Sequence, residues 1–506
     1  MLRFVVSKDG SAVREMDLAG AYVVGSDGVP LRAELEFRES QIICSKRADG
    51  PAALAVLWPV TGCGAMLMET SRLMDRDQPY NLPLELARGR LMRISLKRED
   101  WGMFDFEGVE ALNAEYEQGR DLLVEALKAD SIAQQCVLGD KALQIAVQAG
   151  ERLSRFHAEM FLARRKQIHA FTRRTIGCAI DPANGAEPYR QALKENFDFL
   201  YLPLSWRILE PKQGEFNWRP FDSWMEWLTK HRVPLRLGPL VNFSEANLPA
   251  WLAGQKTDFE TVRNLIFEHI RRVLDRYGNY VHQWDVVSGV HAENIFDFNF
   301  EQLMEVTRVA IALVKQLAPK AQTLVDLVAP WGEYYARNQR TIPPMLYADM
   351  IVQSGVGFDG LGLRLIFGHP TDGMFVRDMF QISEKLDRLG SLGKPIHVTA
   401  VQVPSEPPSA GPLAGGCWRK PWDEVVQAAW TKEFYTIALS KPFVESITWV
   451  DLADRANNPS GITTGGLLHS DLTPKPVLKV LKDFRAEIRK AIRKPPAPQS
   501  TADTDA

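Results

Sequence analysis

Apolar and polar positions alternate along most of the chain in a repeating order. From residue 171 onward, short apolar runs rich in β-branched residues begin at residues 174, 197, 234, 282, 322, 358, 395 and 446. Between them, apolar residues recur at helical spacing, as in the segments that begin at residues 221, 258, 300 and 423. Strands that are apolar on both faces and alternate with helices indicate a parallel sheet. Residues 171–488 are therefore predicted to form an α/β domain, a (βα)8 TIM barrel with its ligand site at the carboxyl ends of the strands.

The first 107 residues have a different pattern, with short apolar runs separated by turn residues. Runs at 2–6, 20–37, 41–45, 52–60 and 89–96 are interpreted as strands, and the tripeptide S-D-G at 26–28 is typical of a hairpin turn. Residues 1–107 are predicted to form a small β-sandwich or jelly roll. Such a domain is either similar to a carbohydrate-binding module or a structural cap on the barrel. We favour the cap, because this fold alone does not decide the role.

Two further segments complete the predicted organisation. Residues 108–170 are rich in Ala, Leu, Glu and Arg and contain no proline, which predicts a helical spacer of two helices broken near the L-G-D at 138–140. Residues 489–506 begin with basic residues and continue as a polar, Pro-rich segment, which predicts a disordered tail.

Composition excludes several classes of function. The chain has 506 residues, and its 60 Lys+Arg against 63 Asp+Glu give a net charge of −3, so we expect no nucleic-acid partner. Neither a signal sequence nor an apolar run long enough to span a membrane is evident, so we expect a cytoplasmic protein without a membrane partner. The five cysteines form no C-x-x-C pair and are expected to be reduced thiols. His291 and His369 lack the spacing of a ligand set, so neither a metal nor a cofactor is expected.

Several motifs in the predicted barrel occur in a characteristic order. They are Trp206 followed by E-P-K-Q-G-E-F-N-W at 210–218, L-P-A-W at 248–251, W-D-V-V at 284–287, F-D-G-L-G at 358–362 and I-T-W-V-D at 447–451. In order and spacing they resemble glycoside hydrolase family 10, the retaining endo-β-1,4-xylanases. This resemblance implies a (βα)8 barrel and a role in carbohydrate metabolism, with an oligosaccharide or polysaccharide as the ligand.

The resemblance fails at the two positions where the chemistry of that family occurs. A retaining glycosidase needs two carboxyl groups about 5 to 5.5 Å apart, one as acid/base and one as nucleophile. The family carries these glutamates at the ends of strands four and seven, and the corresponding residues here are Gly289 and Ala400. Neither residue can transfer a proton or form a covalent bond. The resemblance therefore implies a protein that binds a β-linked glycan without the standard retaining hydrolysis.

Two alternatives stay open at this point. The first is an active O-glycosyl hydrolase that uses relocated carboxylates, with Glu293 and Glu333 as its catalytic candidates. The second is a non-catalytic scaffold or interaction protein with a protein partner.

Further residues near the predicted mouth are candidates for binding substrate. Aromatic faces suit the apolar face of a sugar ring, and charged groups suit its hydroxyls. Arg364 at the end of strand six is expected to form an internal ion pair with an acid of the mouth, in preference to recognising an acidic sugar. The substrate-binding candidates are Trp206, Glu245, Trp331, Arg364, Trp449 and Asp451.

Overall fold

The N-terminal part of the chain is built from two small sheets and one two-stranded hairpin. A computed structural model describes residues 1–254 and 258–492. Its first strands are β1 (Leu2–Val5), β2 (Ser7–Lys8), β3 (Ser11–Ala12), β4 (Tyr22–Gly25), β5 (Pro30–Leu31), β6 (Ala33–Arg38), β7 (Gln41–Lys46), β8 (Ala52–Val60), β9 (Gly64–Glu69) and β10 (Tyr80–Asn81). One sheet has the order β10-β1-β7-β6. The other has the order β18-β9-β8-β4-β5, in which β18 (Cys417–Trp418) comes from a barrel loop.

The predicted turn at 26–28 is confirmed. Strands β4 and β5 pair in antiparallel orientation, and the backbone N–H of Gly28 donates to the carbonyl oxygen of Gly25 at 3.1 Å. Gly28 has a φ of 80°, in the left-handed region that glycine adopts without strain.

The strand predicted at 89–96 is wrong, because these residues lie in helix α1 (Leu82–Asp100). The side chain of Asn81 caps the helix by accepting from Leu84 N, and Pro83 occupies its first turn. Gly89 faces Ser71, and a Cβ at this position would lie 2.7 Å from Ser71 N. Residues 89–96 alternate between apolar and polar residues as a strand does. The cap, the proline and this close packing nevertheless favour the helix.

The predicted break at 138–140 is also wrong. A 3₁₀ turn (Met103–Asp105) precedes α2 (Glu110–Lys128), and α3 (Ile132–Gln167) runs without interruption through Gly139. The chain breaks instead before Ser131, whose hydroxyl accepts from Gln134 N at 3.2 Å. Gly139 allows close packing, since a Cβ there would lie 2.9 Å from Leu84 N. Asp140 accepts from Asp9 N at 3.1 Å, which ties the helix to the N-terminal domain.

The barrel prediction is confirmed. Eight parallel strands close into a barrel in chain order. They are β11 (Ile176–Ala179), β12 (Phe199–Pro203), β13 (Leu235–Gly238), β14 (Gln283–Ser288), β15 (Gln322–Leu327), β16 (Gly360–Ile366), β17 (Ile396–Gln402) and β19 (Val444–Trp449).

The helices around the barrel include the four that the sequence pattern predicts. They are α4 (Glu187–Asn196), α5 (Trp206–Leu209), α6 (Arg219–Lys230), α7 (Ala250–Ala253), α8 (Phe259–Tyr277), α9 (Phe300–Leu317), α10 (Glu333–Arg337), α11 (Pro344–Gln353), α12 (Met379–Gly390), α13 (Glu424–Ser440) and α14 (Pro476–Ile492). Within residues 1–254 and 258–492, none of the helices has the length and apolar character needed to cross a bilayer. The five cysteines are free and buried. Of the tail predicted at 489–506, residues 489–492 form the end of α14, and the rest lies outside the described residues.

The N-terminal domain is joined to the barrel by strand pairing and by buried charge. Strand β18 of the barrel loop pairs with β9 of the N-terminal sheet. Arg90 of α1 bonds Asp378, which precedes α12, at 2.7 Å, and both side chains have an exposed fraction of 0%. Removal of one partner would leave a buried charge without compensation and would strongly destabilise the protein. The pair therefore fixes the two parts against each other.

Candidate functional site

Charged residues line the interior of the barrel below its mouth. Arg236 on β13 places Nε 3.4 Å from Oδ1 of Asp285 on β14, and its Nη2 donates to the carbonyl oxygen of Thr399 at 2.9 Å. The guanidinium of Arg236 also lies 4.6 Å from the ring centroid of Tyr201. Arg236 and Asp285 are buried. One cation therefore crosses the barrel and connects three of its strands.

A second buried carboxylate, Asp326 on β15, lies beside this pair. Its oxygens accept from the Ser288 hydroxyl at 2.7 Å and from the Thr399 hydroxyl. Burial raises the pKa of Asp285, and Asp326 raises it further while Arg236 opposes both effects. Asp285 and Asp326 are not among the site residues that the sequence predicts. The signal that could have found them is an aspartate within an apolar strand, because its burial is costly unless it has a partner.

Gly289 and Ala400, the residues that the sequence resemblance implies at the family's two glutamate positions, carry no ionisable group. Gly289 directly follows β14 with a φ of 70°, and a Cβ at this position would lie 3.3 Å from a methyl of Val328. Ala400 on β17 forms a small buried cluster with Ile366 and Ile462. The first position has a backbone conformation that strains any residue with a side chain, and the second is apolar.

Glu293 and Arg364 are the candidates that lie at the mouth. The backbone N–H of Glu293 donates to the carbonyl oxygen of Gly289 at 2.8 Å, which places the residue one turn after the strand end. Desolvation raises the pKa of Glu293, whereas Arg364 and the Ser244 hydroxyl oppose this shift. Asn242 supports the same loop by accepting from the Ser244 hydroxyl at 2.6 Å.

The ion pair expected for Arg364 is not formed. Arg364 is half-buried at the end of β16, and no carboxylate among residues 1–254 and 258–492 lies within 4.0 Å of its guanidinium. Asp285, a buried acid on which Arg364 acts electrostatically, is instead paired with Arg236. Arg364 therefore remains an available cation at the mouth.

Glu333 and Trp331 lie at the contact with the N-terminal domain. Glu333 Oε1 accepts from Arg377 Nη2 at 2.7 Å, and the same nitrogen donates to the Tyr22 hydroxyl of β4 at 3.0 Å. Glu333 has an exposed fraction of 2%, so it is not presented to a ligand. Trp331 is half-buried, and its ring centroid lies 4.9 Å from the guanidinium carbon of Arg377 and 5.3 Å from Lys385 Nζ.

Two of the predicted tryptophans lie in the core. Trp206 donates through Nε1 to Glu210 at 2.8 Å and stacks on His269 with ring centroids 4.2 Å apart. Trp449 is fully buried and donates to the carbonyl oxygen of Gly465 at 2.9 Å. Neither indole presents a face to the mouth, so both residues support the barrel in this structure.

The remaining two candidates hold loops. Glu245 is exposed, and its carbonyl oxygen accepts from Arg207 Nη2 at 2.6 Å. Buried Asp451 accepts from Gln402 and Asn458, both at 2.5 Å, and pairs with Arg455 Nε at 2.9 Å. Burial raises the pKa of Asp451, and Arg455 opposes the shift. Asp451 thus fixes the loop that follows β19.

Comparison with known proteins agrees with this geometry. The sequence profile of glycosyl hydrolase family 10 matches residues 165–484, more than half of the chain. The chain belongs to this family. The residues before 165, which include strands β1 to β10, lie outside the family match.

Individual relatives are distant. Endo-1,4-beta-xylanase B of Thermotoga neapolitana is 23% identical over 319 residues, which cover 60% of this chain and 84% of the relative. Endo-1,4-beta-xylanase A of Fusarium oxysporum f. sp. lycopersici is 24% identical over 217 residues, which cover 41% of this chain and 63% of that relative. Among solved structures, native xylanase 10B of Thermotoga maritima matches 65% of this chain and 98% of its own, with a TM-score of 0.50 and 18% identity. This structural likeness concerns the fold.

Proposed function

We propose that the family 10 barrel binds a β-linked glycan at its mouth without the retaining hydrolysis of the xylanases. The observation that carries the proposal is the chemistry of the two strand ends. Gly289 has a left-handed backbone conformation, and Ala400 packs against Ile366 and Ile462. Retaining hydrolysis needs a proton donor and a nucleophilic carboxylate at a defined separation, and these two residues supply neither.

Binding is supported by two charged groups at the mouth. The Arg364 guanidinium is half-buried with no carboxylate within 4.0 Å in the described part of the chain, and Glu293 lies on the neighbouring loop. A guanidinium donates to several oxygens in one plane, while a carboxylate accepts from hydroxyl groups. Together they offer both halves of the hydrogen bonding that a sugar requires.

A hydrolase that relies on Glu293 and Glu333 has less support. Glu333 is buried in its ion pair with Arg377 and contacts the N-terminal domain. A general acid must reach the leaving oxygen, and a nucleophile must reach the anomeric carbon. Glu333 does neither from this position, which leaves Glu293 without its proposed partner.

The test combines binding with turnover. Titration calorimetry with xylohexaose and cellohexaose should show one bound oligosaccharide per chain, and Arg364→Gln should weaken binding about tenfold because a charged hydrogen bond is lost. The control is Arg308→Gln, which changes an exposed arginine of α9 and should leave the affinity unchanged. Sustained release of reducing ends that Glu293→Gln abolishes would contradict the proposal.

A further inference from the structure

A cavity lies away from the barrel mouth, between the N-terminal sheets and helix α12. Its volume is about 500 Å³. Residues of β4, β9 and α1 form one wall, and α12 with Trp331 forms the other. Ligand pockets in proteins commonly have volumes of about 300 to 1,000 Å³. The N-terminal wall lies outside the family 10 match, so the family's own site does not account for this cavity.

Two of the carboxylates in the cavity wall are saturated by protein donors. Glu69 pairs with Arg72 at 3.5 Å and with Arg93 at 3.4 Å. Asp387 accepts from Lys97 at 3.4 Å, and it also accepts from Trp101 Nε1 at 3.0 Å and Lys441 at 2.7 Å. These ion pairs hold the wall together, and Glu69 also acts on Lys385 at longer range.

Cations remain in excess on the same wall. Lys385 and Arg388 of α12 have no carboxylate within 4.0 Å in the described ranges 1–254 and 258–492. Arg93 Nε and Nη2 are buried without a hydrogen-bond partner there. Burial lowers the pKa of Lys385 to about 8, and neighbouring Arg388 adds to the shift, whereas Glu69 and Glu333 oppose it. An ammonium among other cations is stabilised by an anionic ligand, and that ligand would also satisfy the free donors.

Other groups of the wall narrow the class of anion. Glu384 lines the cavity, and burial raises the pKa of its carboxyl group. This group suits hydroxyl donors but repels a multiply charged anion such as phosphate. The half-buried indole of Trp331 adds an aromatic surface that suits the apolar face of a sugar ring. The favoured ligand therefore has one carboxylate, several hydroxyls and a ring.

We propose that this cavity binds a uronic acid residue of an oligosaccharide, with the sugar carboxylate on Lys385 and Arg388 and its hydroxyls near Glu384. The site is separate from the barrel mouth and does not depend on glycan binding there.

The proposal is tested by calorimetric titration of the 506-residue protein with trigalacturonic acid at about 150 mM salt. We expect one bound trisaccharide per chain and a loss of affinity of about tenfold or more in Lys385→Gln and in Arg388→Gln, because each removes a charged donor. Arg388 is exposed, so its variant retains the fold even if the more enclosed lysine proves necessary for stability. Lys482→Gln, at an exposed position of α14, is the matched control and should bind like the parent protein.

Two further arms separate this site from the alternatives. Arg364→Gln should leave trigalacturonate affinity unchanged, and inorganic phosphate at equal concentration should not displace the trisaccharide. Loss of binding in Arg364→Gln alone would assign the uronate to the barrel mouth and overturn the proposal. Unchanged affinity in both α12 variants, effective competition by phosphate, or absence of binding at millimolar trisaccharide would also overturn it. Weaker xylohexaose binding in Arg364→Gln tests the mouth separately.

Discussion

The barrel mouth and the contact between the N-terminal domain and the barrel use charged residues in opposite ways. At the contact, Arg377 pairs with Glu333 at 2.7 Å, and both side chains are at most 2% exposed. At the mouth, Arg364 has no carboxylate within 4.0 Å among the described residues, and Ala400 is surrounded by apolar side chains. Arg377 also donates to Tyr22 of β4, so this ion pair supports the contact between the two domains. Glu333 therefore serves the architecture, whereas Arg364 at the mouth has no acidic partner among the described residues.

The largest expected effect comes from breaking a buried pair at the contact. Glu333→Gln leaves the Arg377 guanidinium buried and unbalanced, so unfolding free energy should fall by about 3 to 5 kcal/mol. Urea denaturation followed by circular dichroism measures this loss. The matched variant Glu293→Gln at the mouth should change stability by less than about 1 kcal/mol. Equal losses in the two variants would remove the distinction between the two regions.

The next effect concerns the pH dependence of the same contact. Glu151 on α3 accepts from Trp418 Nε1 of β18 at 2.7 Å, and burial together with Asp378 raises the pKa of Glu151 to about 7. A pKa raised on folding gives stability that is full below the unfolded pKa of about 4.3 and is lost as the pH rises through 7. Glu151→Gln should therefore gain about 3 kcal/mol relative to the parent between pH 4.5 and pH 8.

The control for this prediction is on the same helix. Glu159 of α3 is exposed and pairs with Arg155 at 2.9 Å, so Glu159→Gln should show almost the same pH dependence as the parent. Thermal unfolding at several pH values compares the three proteins. The assignment would be contradicted if the stability of the parent and that of Glu151→Gln changed by the same amount between pH 4.5 and pH 8.

A smaller effect tests the backbone of the mouth. Gly289→Ala places a Cβ on a residue with a φ of 70° and 3.3 Å from a Val328 methyl, so stability should fall by about 1 to 2 kcal/mol. Gly357→Ala is the comparison, because nothing lies within 4 Å of its Cβ position and its φ is not in the left-handed region. Chemical denaturation should show a clear loss of stability in Gly289→Ala and none in Gly357→Ala. A neutral Gly289→Ala would show that the strand end tolerates side chains.

The smallest expected effect is on the stability of Arg364→Gln. With no ion pair to break, the unfolding free energy should change by less than about 0.5 kcal/mol, even though glycan affinity falls. Calorimetric melting and binding on the same preparation measure both quantities. A stability loss comparable to that of Glu333→Gln would indicate that Arg364 is structurally paired after all.

The sequence predicts the barrel well because the necessary information is local. Each strand of a parallel barrel is apolar on both faces, so the runs at 282 and 322 are recognisable without knowing their neighbours. Local pattern misleads at 89–96, where Asn81 and the packing of Gly89 on Ser71 decide for a helix. It misleads again at Gly139, a glycine that serves close packing inside α3.

The site was harder to predict because its partners come from distant parts of the chain. Glu333 looks like a free loop carboxylate in the sequence, yet Arg377 of the same barrel pairs with it, and Tyr22 of the N-terminal domain accepts from the same Arg377 nitrogen. Arg364 looks like a residue in need of an acid, yet Asp285 is already paired with Arg236. No spacing along the chain records which of several candidate partners a buried charge takes.

The most direct test of the central claim measures binding and cleavage together. Xylohexaose is incubated with the 506-residue protein. Anion-exchange chromatography then analyses both the xylohexaose that stays bound to the protein and any shorter products. We predict that the protein retains the hexasaccharide intact and that no shorter oligosaccharide accumulates. Formation of xylobiose or xylotriose that stops in Glu293→Gln would show a working glycosidase and contradict the account.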